Sequence, residues 1–537
     1  MDAGQDFNPP AEVKRQTRAP TEAKPTVGVK PLTGGQFKPL EVVISGAGPA
    51  GLLLAHYLLE KGGGRFRVSL FDWRDDPRRA RDSTDPGIRR YSIGLGMRGA
   101  AAIAPIPGLW GALQAAGTPV TAFTFTMFGR SFTLRMPPEW NPPLAIDRME
   151  LCAGLLEELL GRHAPGGSSD LLSVTFDARC TGADLRGHVA TFEDASGAKS
   201  ETRQVPYDLL VGADGVRSRV RLAMMEQTWG FDVEQRTIDI ATVITYIQAP
   251  EGIIPGTILR IPALPKCKNL GVFLFPGTKD RLCLTMGWSD TCPPEEWLSI
   301  KDAKEAKAFL DSQIPWMKDV SEEAVEDLRA QTPFLTTVVK CSRYHDAAAA
   351  VALLGDAAHA TPPFIGQGCN VALEDAATLA HLLLRAAGVN ADDETALRLA
   401  KLEPLKDLDA PATTREQARA RLPAALEVYS ALRVPEGHAL VDLSESRAAF
   451  STSARVRMAV REIWKNFLLF ASRGFFRGPV RSQAGGTTDP LAEILERNKG
   501  EVRSVLDSNK RIREEWLKKQ REKKMKAGLA VLVDQEA

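Results

Sequence analysis

The chain has 537 residues, 44% hydrophobic and 25% charged, which supplies enough apolar material for two or three packed domains and excludes a fibrous or wholly disordered protein. Its 68 basic residues face 67 acidic ones, so the formal charge of +1 gives no reason to expect nucleic acid or an anionic membrane as a partner. Seven cysteines, at 152, 180, 267, 283, 292, 341 and 369, show neither CxxC nor Cys/His ligand spacing and cannot all pair, which points to a reducing compartment, cytoplasmic or organelle-associated and not secreted, and to no metal site.

In chain order, residues 1–38 are rich in Pro, Lys and Thr and read as a disordered leader. Asp2, Asp6, Glu12 and Glu22, with no serine before Ser45, fit a transit peptide poorly. Leu40–Ser45 is a β-branched run expected to form a buried parallel strand, followed by a glycine turn, a helix from Leu52 to Lys61, and a second strand, Phe66–Phe71, that ends in Asp72. This β-α-β unit opens a nucleotide-binding domain whose parts fall at 39–118, 141–235 and 339–387. Between them, 119–140 and 236–338 alternate apolar and polar residues, as in Phe123–Phe128 and Arg281–Met286, and are expected to form a half-exposed antiparallel sheet. A surface insertion at 388–420, a helical region at 421–485 whose pattern turns helical after Pro435, and a polar helical tail at 486–537 complete the chain. The fold class is therefore α/β with α+β character: a Rossmann-like domain, an interleaved antiparallel sheet and C-terminal helices. No run reaches the roughly 18 apolar residues of a membrane span. Asn466–Phe476, broken by Arg473, offers at most an interfacial, peripheral contact.

The turn after the first strand reads Gly46-Ala-Gly48-Pro-Ala50-Gly51. The first glycine permits the tight turn, the second lets backbone approach a pyrophosphate, and the third, after Ala50, lets the helix pack on the strand. Asp72, 21 residues past Gly51, is placed to accept ribose hydroxyls, although a lone carboxylate at a strand end would otherwise be only solvated. A nicotinamide dehydrogenase would continue with alternating strands and helices, whereas this chain passes into β sequence and returns twice to small-residue turns. One follows Leu209–Gly212, with Asp214 and Gly215 at its tip. The other follows the apolar run Val351–Leu354 and carries Gly355, Asp356, Pro363, Gly366, Gly368, Cys369 and Asn370 into a helix starting near Asn370. Free N–H groups and the positive end of that helix suit an electron-rich, anionic ring edge. FAD is favoured.

These three stretches, GAGPAG, LLVGADGVRSRVR and LLGDAAHATPPFIGQGCNVALEDA, resemble the fingerprints of the single-component FAD-dependent aromatic monooxygenases of the p-hydroxybenzoate hydroxylase fold, over roughly residues 40–450. Within that family the segments Arg89–Gly99, Val339–His345 and Leu432–Ser444 are most similar to the kynurenine 3-monooxygenase branch. The resemblance implies that Asp356 bonds a ribityl hydroxyl, that Gly366 and Gly368 let backbone meet the flavin's pyrimidine edge, that Arg148 lies along the flavin, and that Arg74 lies near the ribose. It implies that Arg89 grips a substrate carboxylate, for which a guanidinium fork is suited, with a surface arginine as the plain alternative. Pro363, with Pro362, is expected to wall the flavin's reactive edge. Cys369 lies close to the flavin as a small filler, and His359 serves a structural, hydrogen-bonding part.

By the same resemblance, NADPH or NADH reduces FAD, O2 adds to give a flavin C4a-hydroperoxide, and its distal oxygen enters a small aromatic substrate, L-kynurenine being one candidate. After Ser444, however, the chain reads Glu-Ser-Arg-Ala-Ala-Phe, where the kynurenine branch carries tyrosines. A reductase or epoxidase on the same fold, or a flavin-binding scaffold without turnover, are the other readings. The oligomeric state is left open.

Overall fold

The computed structural model describes residues 37–81, 90–127, 130–135, 142–163, 170–195, 201–277, 281–289, 293–389, 412–447, 461, 464–465 and 478–536. Arg89, the Asn466–Phe476 patch, and most of both the expected leader and the 388–420 insertion lie outside the described residues.

The apolar run Leu40–Ser45 is buried at every position but Glu41 and sits inside a six-stranded sheet. Its neighbours are Phe66–Phe71 on one side and Leu209–Gly212 on the other, both parallel. Leu172–Thr175 and Val351–Leu353 extend the sheet in parallel, and His345–Asp346 closes one edge antiparallel. The register pairs Ser45 with Phe71, Ser45 with Gly212, and Gly212 with Leu353. The three small-residue turns therefore leave the sheet at one common edge, where α/β sheets bind their ligands.

The Pro49–Glu60 helix packs so closely over the first turn that a Cβ on Gly51 would lie 2.1 Å from the Gly46 carbonyl oxygen. Gly46 itself has φ +116° and touches the second turn, with a Cβ there meeting the Ala213 oxygen at 2.2 Å. Only glycine serves at that crossing. On the far side, a three-stranded antiparallel sheet, Ala178–Asp184, Val189–Asp194 and Thr202–Pro206, packs through Phe192, stacked on Phe71 with ring centroids 4.0 Å apart.

A seven-stranded sheet lies beside this body, ordered Phe334–Cys341, Val233–Gln248, Arg281–Trp288, Gly271–Pro276, Thr257–Ile261, Ala122–Met127 and Arg130–Arg135. Alternation sends Val243, Ile247, Leu274 and Leu284 into a core shared with Trp297, Leu310, Val325 and Leu328 of three short helices. The opposite face, with Thr242, Ile244, Tyr246, Phe273, Phe275 and Thr285, is only half-buried. The expected half-exposed sheet is thus present, but it is not wholly antiparallel: Thr257–Ile261 pairs parallel with Ala122–Met127. The helices that cover its other side, Glu295–Leu298, Ala303–Gln313 and Glu322–Ala330, come from sequence that shows little beyond amphipathic spacing.

One expectation is corrected. The last helical region begins well before Pro435, because the helix Arg415–Glu445 runs through both Pro423 and Pro435. A capping box fixes its start: Thr414 accepts from the Gln417 N–H while the Gln417 side chain accepts from the Thr414 N–H. Leu422, Leu426, Tyr429 and Leu440 on this helix are fully buried, and that packing outweighs the two missing proline donors. The tail is a 38-residue helix, Lys499–Glu536. Among the described residues no helix is long and apolar enough to cross a membrane.

Candidate flavin site

At the sheet edge the first turn is closed by Asp72. Its carboxylate is 5% exposed and accepts the Ala47 N–H on Oδ2 and the Arg74 N–H on Oδ1, each at 2.8 Å. Asp72 thus braces the glycine turn, and each oxygen retains one lone pair for a ribose hydroxyl. Arg74 swings back with Nη1 3.7 Å from Asp72 Oδ1, and its guanidinium lies 4.8 Å from the Trp73 ring centroid. A Cβ placed on Gly48 would meet no atom within 4 Å, and the same holds at Gly215 and Gly366. Each of the three turns therefore presents bare backbone to open space. Ala50, buried behind the first of them, faces the core instead.

The second turn carries Asp214. Its Oδ2 accepts from the Arg219 N–H at 2.7 Å and the Val220 N–H at 3.4 Å, capping the Arg219–Gln227 helix together with Ser218. Its Oδ1 is buried with no hydrogen-bond partner. Burial pushes this carboxyl above its ordinary range, against the bonds from Ser218 and Arg219 that lower it. An orphaned buried acceptor costs stability unless a donor arrives from outside the chain.

The third turn places Asp356 directly after Gly355, whose φ is +59° and where a Cβ would press on the Ala372 methyl at 2.9 Å. Asp356 is exposed at the edge, and none of the described residues hydrogen-bonds its carboxylate. Its side chain reaches solvent, yet the protein packed around the turn raises its carboxyl above the ordinary range, opposed by His359, Arg148 and Arg221. Arg148 begins the Arg148–His163 helix and donates its N–H to the Tyr91 oxygen at 2.9 Å. Burial alone would lower its guanidinium, but Tyr91, Cys152, Asp72 and Asp356 together hold it raised. One arginine is thereby within electrostatic reach of both the first and the third turn.

The helix expected near Asn370 starts two residues earlier and runs Gly368–Ala386. Its first intrahelical bond is from the Val371 N–H to the Gln367 oxygen at 2.9 Å, which leaves the N–H groups of Gly368, Cys369 and Asn370 without helical acceptors. The Asn370 side chain is fully committed: Oδ1 accepts from Gly96 N–H at 2.8 Å, and Nδ2 donates to the oxygens of Gly94 at 2.8 Å and Gly366 at 3.0 Å. What Asn370 offers a ligand is its backbone. Cys369 is half-buried, its thiol raised by burial and by the neighbouring Cys152 and Asp356. Pro363 is exposed in a short turn, Pro363–Ile365, and the Pro362 oxygen before it accepts from Ser444 Oγ at 2.5 Å. His359 is buried against Asp375, with Nε2 2.5 Å from Oδ2.

The half-buried face of the large sheet meets this edge through the strand Ser92–Leu95. The Phe275 ring comes so near Gly94 that a Cβ there would lie 3.2 Å from it, and Gly94 is the residue that Asn370 holds. Beside it the Tyr246 hydroxyl is 3.2 Å from Ser92 Oγ, and the Arg90 guanidinium lies 5.6 Å from the Tyr246 ring, with Nε 3.5 Å from Asp147 Oδ2. Sequence reasoning singled out Arg89 and passed over Arg90, Tyr91, Tyr246 and Phe275. Only the last two carried a signal, as aromatic residues in alternating strands. Among the described residues, no group of three or more His, Cys, Asp or Glu could hold a metal ion.

A family model described as FAD binding domain matches residues 156–399. Kynurenine 3-monooxygenase of Chaetomium globosum is 28% identical over 76% of this chain and 83% of its own length. Over most of its length the chain is similar to FAD-dependent aromatic monooxygenases. Violacein synthase of Chromobacterium violaceum is also 28% identical, over 64% of this chain and 78% of its own. Two solved structures share the fold at 18% identity. They are the tetrameric form of 2-methyl-3-hydroxypyridine-5-carboxylic acid oxygenase, at TM-score 0.55 over 84% of this chain and 98% of that one, and PqsL of P. aeruginosa in complex with 2-aminobenzoylacetate, at 0.53 over 86% and 100%.

FAD is accordingly the cofactor. The edge fits this group on its own chemistry. The bare turn at Gly48 suits a pyrophosphate, the orphaned Asp214 Oδ1 and the unpartnered Asp356 suit hydroxyl donors, and the unfilled N–H groups at Gly368–Asn370 suit an electron-rich ring edge.

Proposed function

We propose that the chain hydroxylates a small aromatic substrate with O2 and NAD(P)H: one oxygen atom enters the ring, the other leaves as water, and the nicotinamide supplies two electrons. The observation that carries this reading is the meeting, across Gly94, of a half-buried aromatic sheet face with the unfilled N–H groups of the Gly368–Ala386 helix. Bound FAD supplies the hydride acceptor and the centre at which O2 reacts.

The protein's own part is holding and shielding. Gly48 admits the pyrophosphate to backbone, while Gly46 and Gly51 close the turn behind it; Asp72 and Arg74 hold the ribose; Asp214, Gly215 and Asp356 hold the chain between the two rings. The N–H groups at Gly368, Cys369 and Asn370 favour negative charge where the ring ends. Phe273, Phe275 and Ile244 keep that end dry, and Pro363 walls it from the other side. A carboxylate on the substrate would be taken by Arg89.

Kynurenine is the first substrate to try, because relatives at 28% identity bear that activity in their names. Against it stands the stretch after Ser444, where that branch carries tyrosines: here Glu445 pairs with Arg236 at 2.5 Å and Arg447 with Glu501 at 2.8 Å, so both side chains are engaged within the protein. The test is substrate-stimulated oxidation of NADPH and NADH, with kynurenine and a panel of phenols and anilines as effectors. A hydroxylated product formed with accelerated oxidation supports the reading. Oxidation unaffected by every aromatic compound contradicts it.

A further inference from the structure

Behind the Asp356 turn lies a chain of buried ionisable side chains. His359 Nε2 is 2.5 Å from Asp375 Oδ2, Asp375 Oδ1 accepts from Arg433 Nε at 2.5 Å, and Arg433 Nη2 donates to Glu374 Oε2 at 2.9 Å. Glu374 takes Arg98 Nη1 on both oxygens at 3.0 Å, and Arg98 Nη2 donates to the Asp489 oxygen at 2.7 Å. Exposure of these side chains runs from 0% to 14%. An apolar core of equal volume would stabilise the fold at least as well, so folding energy alone does not account for them. What a guanidinium fork between carboxylates supplies is direction.

That direction converges on one turn. His359 ends the segment Asp356–His359, and its N–H closes back on the Gly355 oxygen at 2.9 Å. The Arg415–Glu445 helix that carries Arg433 also grips the strand leading in, with Tyr429 Oη donating to the Leu353 oxygen at 2.9 Å, and the loop leading out, through Ser444 and the Pro362 oxygen. Gly437 on the same helix lets it close on the turn, for a Cβ there would lie 2.9 Å from His359 Cβ. Asp356 itself has none of these bonds.

We propose that Asp375 and Arg433 are positioning residues for FAD. Acting through His359, they fix the Gly355–His359 turn so that the Asp356 carboxylate stands at the sheet edge to accept the hydroxyls between the two rings. This rests on the reading that Asp356 holds FAD. On this reading the clamp acts on the third turn alone, so its effect falls on the flavin half of the cofactor.

The test compares FAD with ADP, which shares the pyrophosphate and adenine but lacks the ribityl flavin, by titrating apoprotein of the wild type and of Asp375→Asn, Arg433→Lys, His359→Gln, Asp356→Ala and the double variant Asp356→Ala/Asp375→Asn. The clamp variants are expected to bind FAD roughly tenfold to a hundredfold more weakly, the range of one charge-assisted hydrogen bond. ADP should bind them within about twofold of the wild type, and the double variant should be no weaker than Asp356→Ala alone. Unchanged FAD affinity in the folded clamp variants, equal loss of FAD and ADP, or additive losses in the double variant would overturn the proposal. If Asp375→Asn does not fold, the other two single variants decide it. Asp356→Ala binding FAD like the wild type would sink the underlying reading, whereas its loss of FAD beside unaffected clamp variants would sink the clamp alone.

Discussion

Asn370 and Gly94 are bound to each other at 2.8 Å, side-chain amide to backbone oxygen, and this single contact joins the helix start to the strand that touches Phe275. The same amide holds the Gly366 oxygen, and its Oδ1 takes the Gly96 N–H. Asn370→Ala removes all three bonds in a fully buried place and strands the Gly96 donor. We expect a loss of about 2–4 kcal/mol, read as a lowered melting temperature, together with weaker FAD binding. Asn370→Asp, which keeps the acceptor but turns a carboxylate oxygen towards the Gly94 and Gly366 oxygens, should cost at least as much.

The two glycines Gly48 and Gly51 separate binding from folding. Gly48→Val puts a side chain into open space, so its melting temperature should stay close to that of the apo wild type while FAD binding is lost. Gly51→Ala drives a methyl to 2.1 Å from the Gly46 oxygen and should cost stability in the absence of any ligand, on the order of 2 kcal/mol or more. Melting curves of apoprotein and FAD titrations distinguish the two.

Phe275→Ala opens the roof where it meets Gly94. FAD affinity should change little, because the ring touches the sheet side, but water gains access to the reaction space. The expected result is a lower yield of hydroxylated product per NAD(P)H oxidised, measured by chromatography beside the absorbance assay. Full coupling in this variant would show that the face does not shield the reaction.

His56 gives the fold a pH dependence remote from the flavin site. It is fully buried, its Nε2 lies 2.8 Å from the Leu155 oxygen, and burial depresses its pKa to about 4. The unfolded chain then binds the proton first, so stability is flat above about pH 6.5 and falls as pH drops towards 4, by a few kcal/mol in total. His56→Gln should flatten that slope. Melting temperatures of both proteins at several pH values in this window check the sign.

Much of this edge was legible because its chemistry lies in short local patterns. Leu40–Ser45 and Phe66–Phe71 are continuous apolar strands, Gly46 and Gly355 mark backbone that no other residue tolerates, and Asp72 follows its strand at the expected distance. What stayed hidden joins residues far apart in sequence. Asp375 and Arg433 are ordinary helix charges until folding buries them together, and Asn370 looks like a ligand contact until its amide is seen spent on Gly94 and Gly96. Pro435 suggested a late helix start, and only the packing of Leu422, Leu426 and Tyr429 explains why the helix continues through it and through Pro423.

The central claim is that FAD lies along the edge formed by the Gly46, Asp214 and Asp356 turns, and the most direct measurement is an equilibrium titration of apoprotein with FAD, followed by flavin fluorescence, for wild type and Asp356→Ala. The account predicts saturable binding of one FAD per chain, and about a hundredfold weaker binding in a variant that keeps the wild-type circular dichroism. Wild-type apoprotein that takes up no FAD, or a folded Asp356→Ala that binds it equally well, would contradict the account.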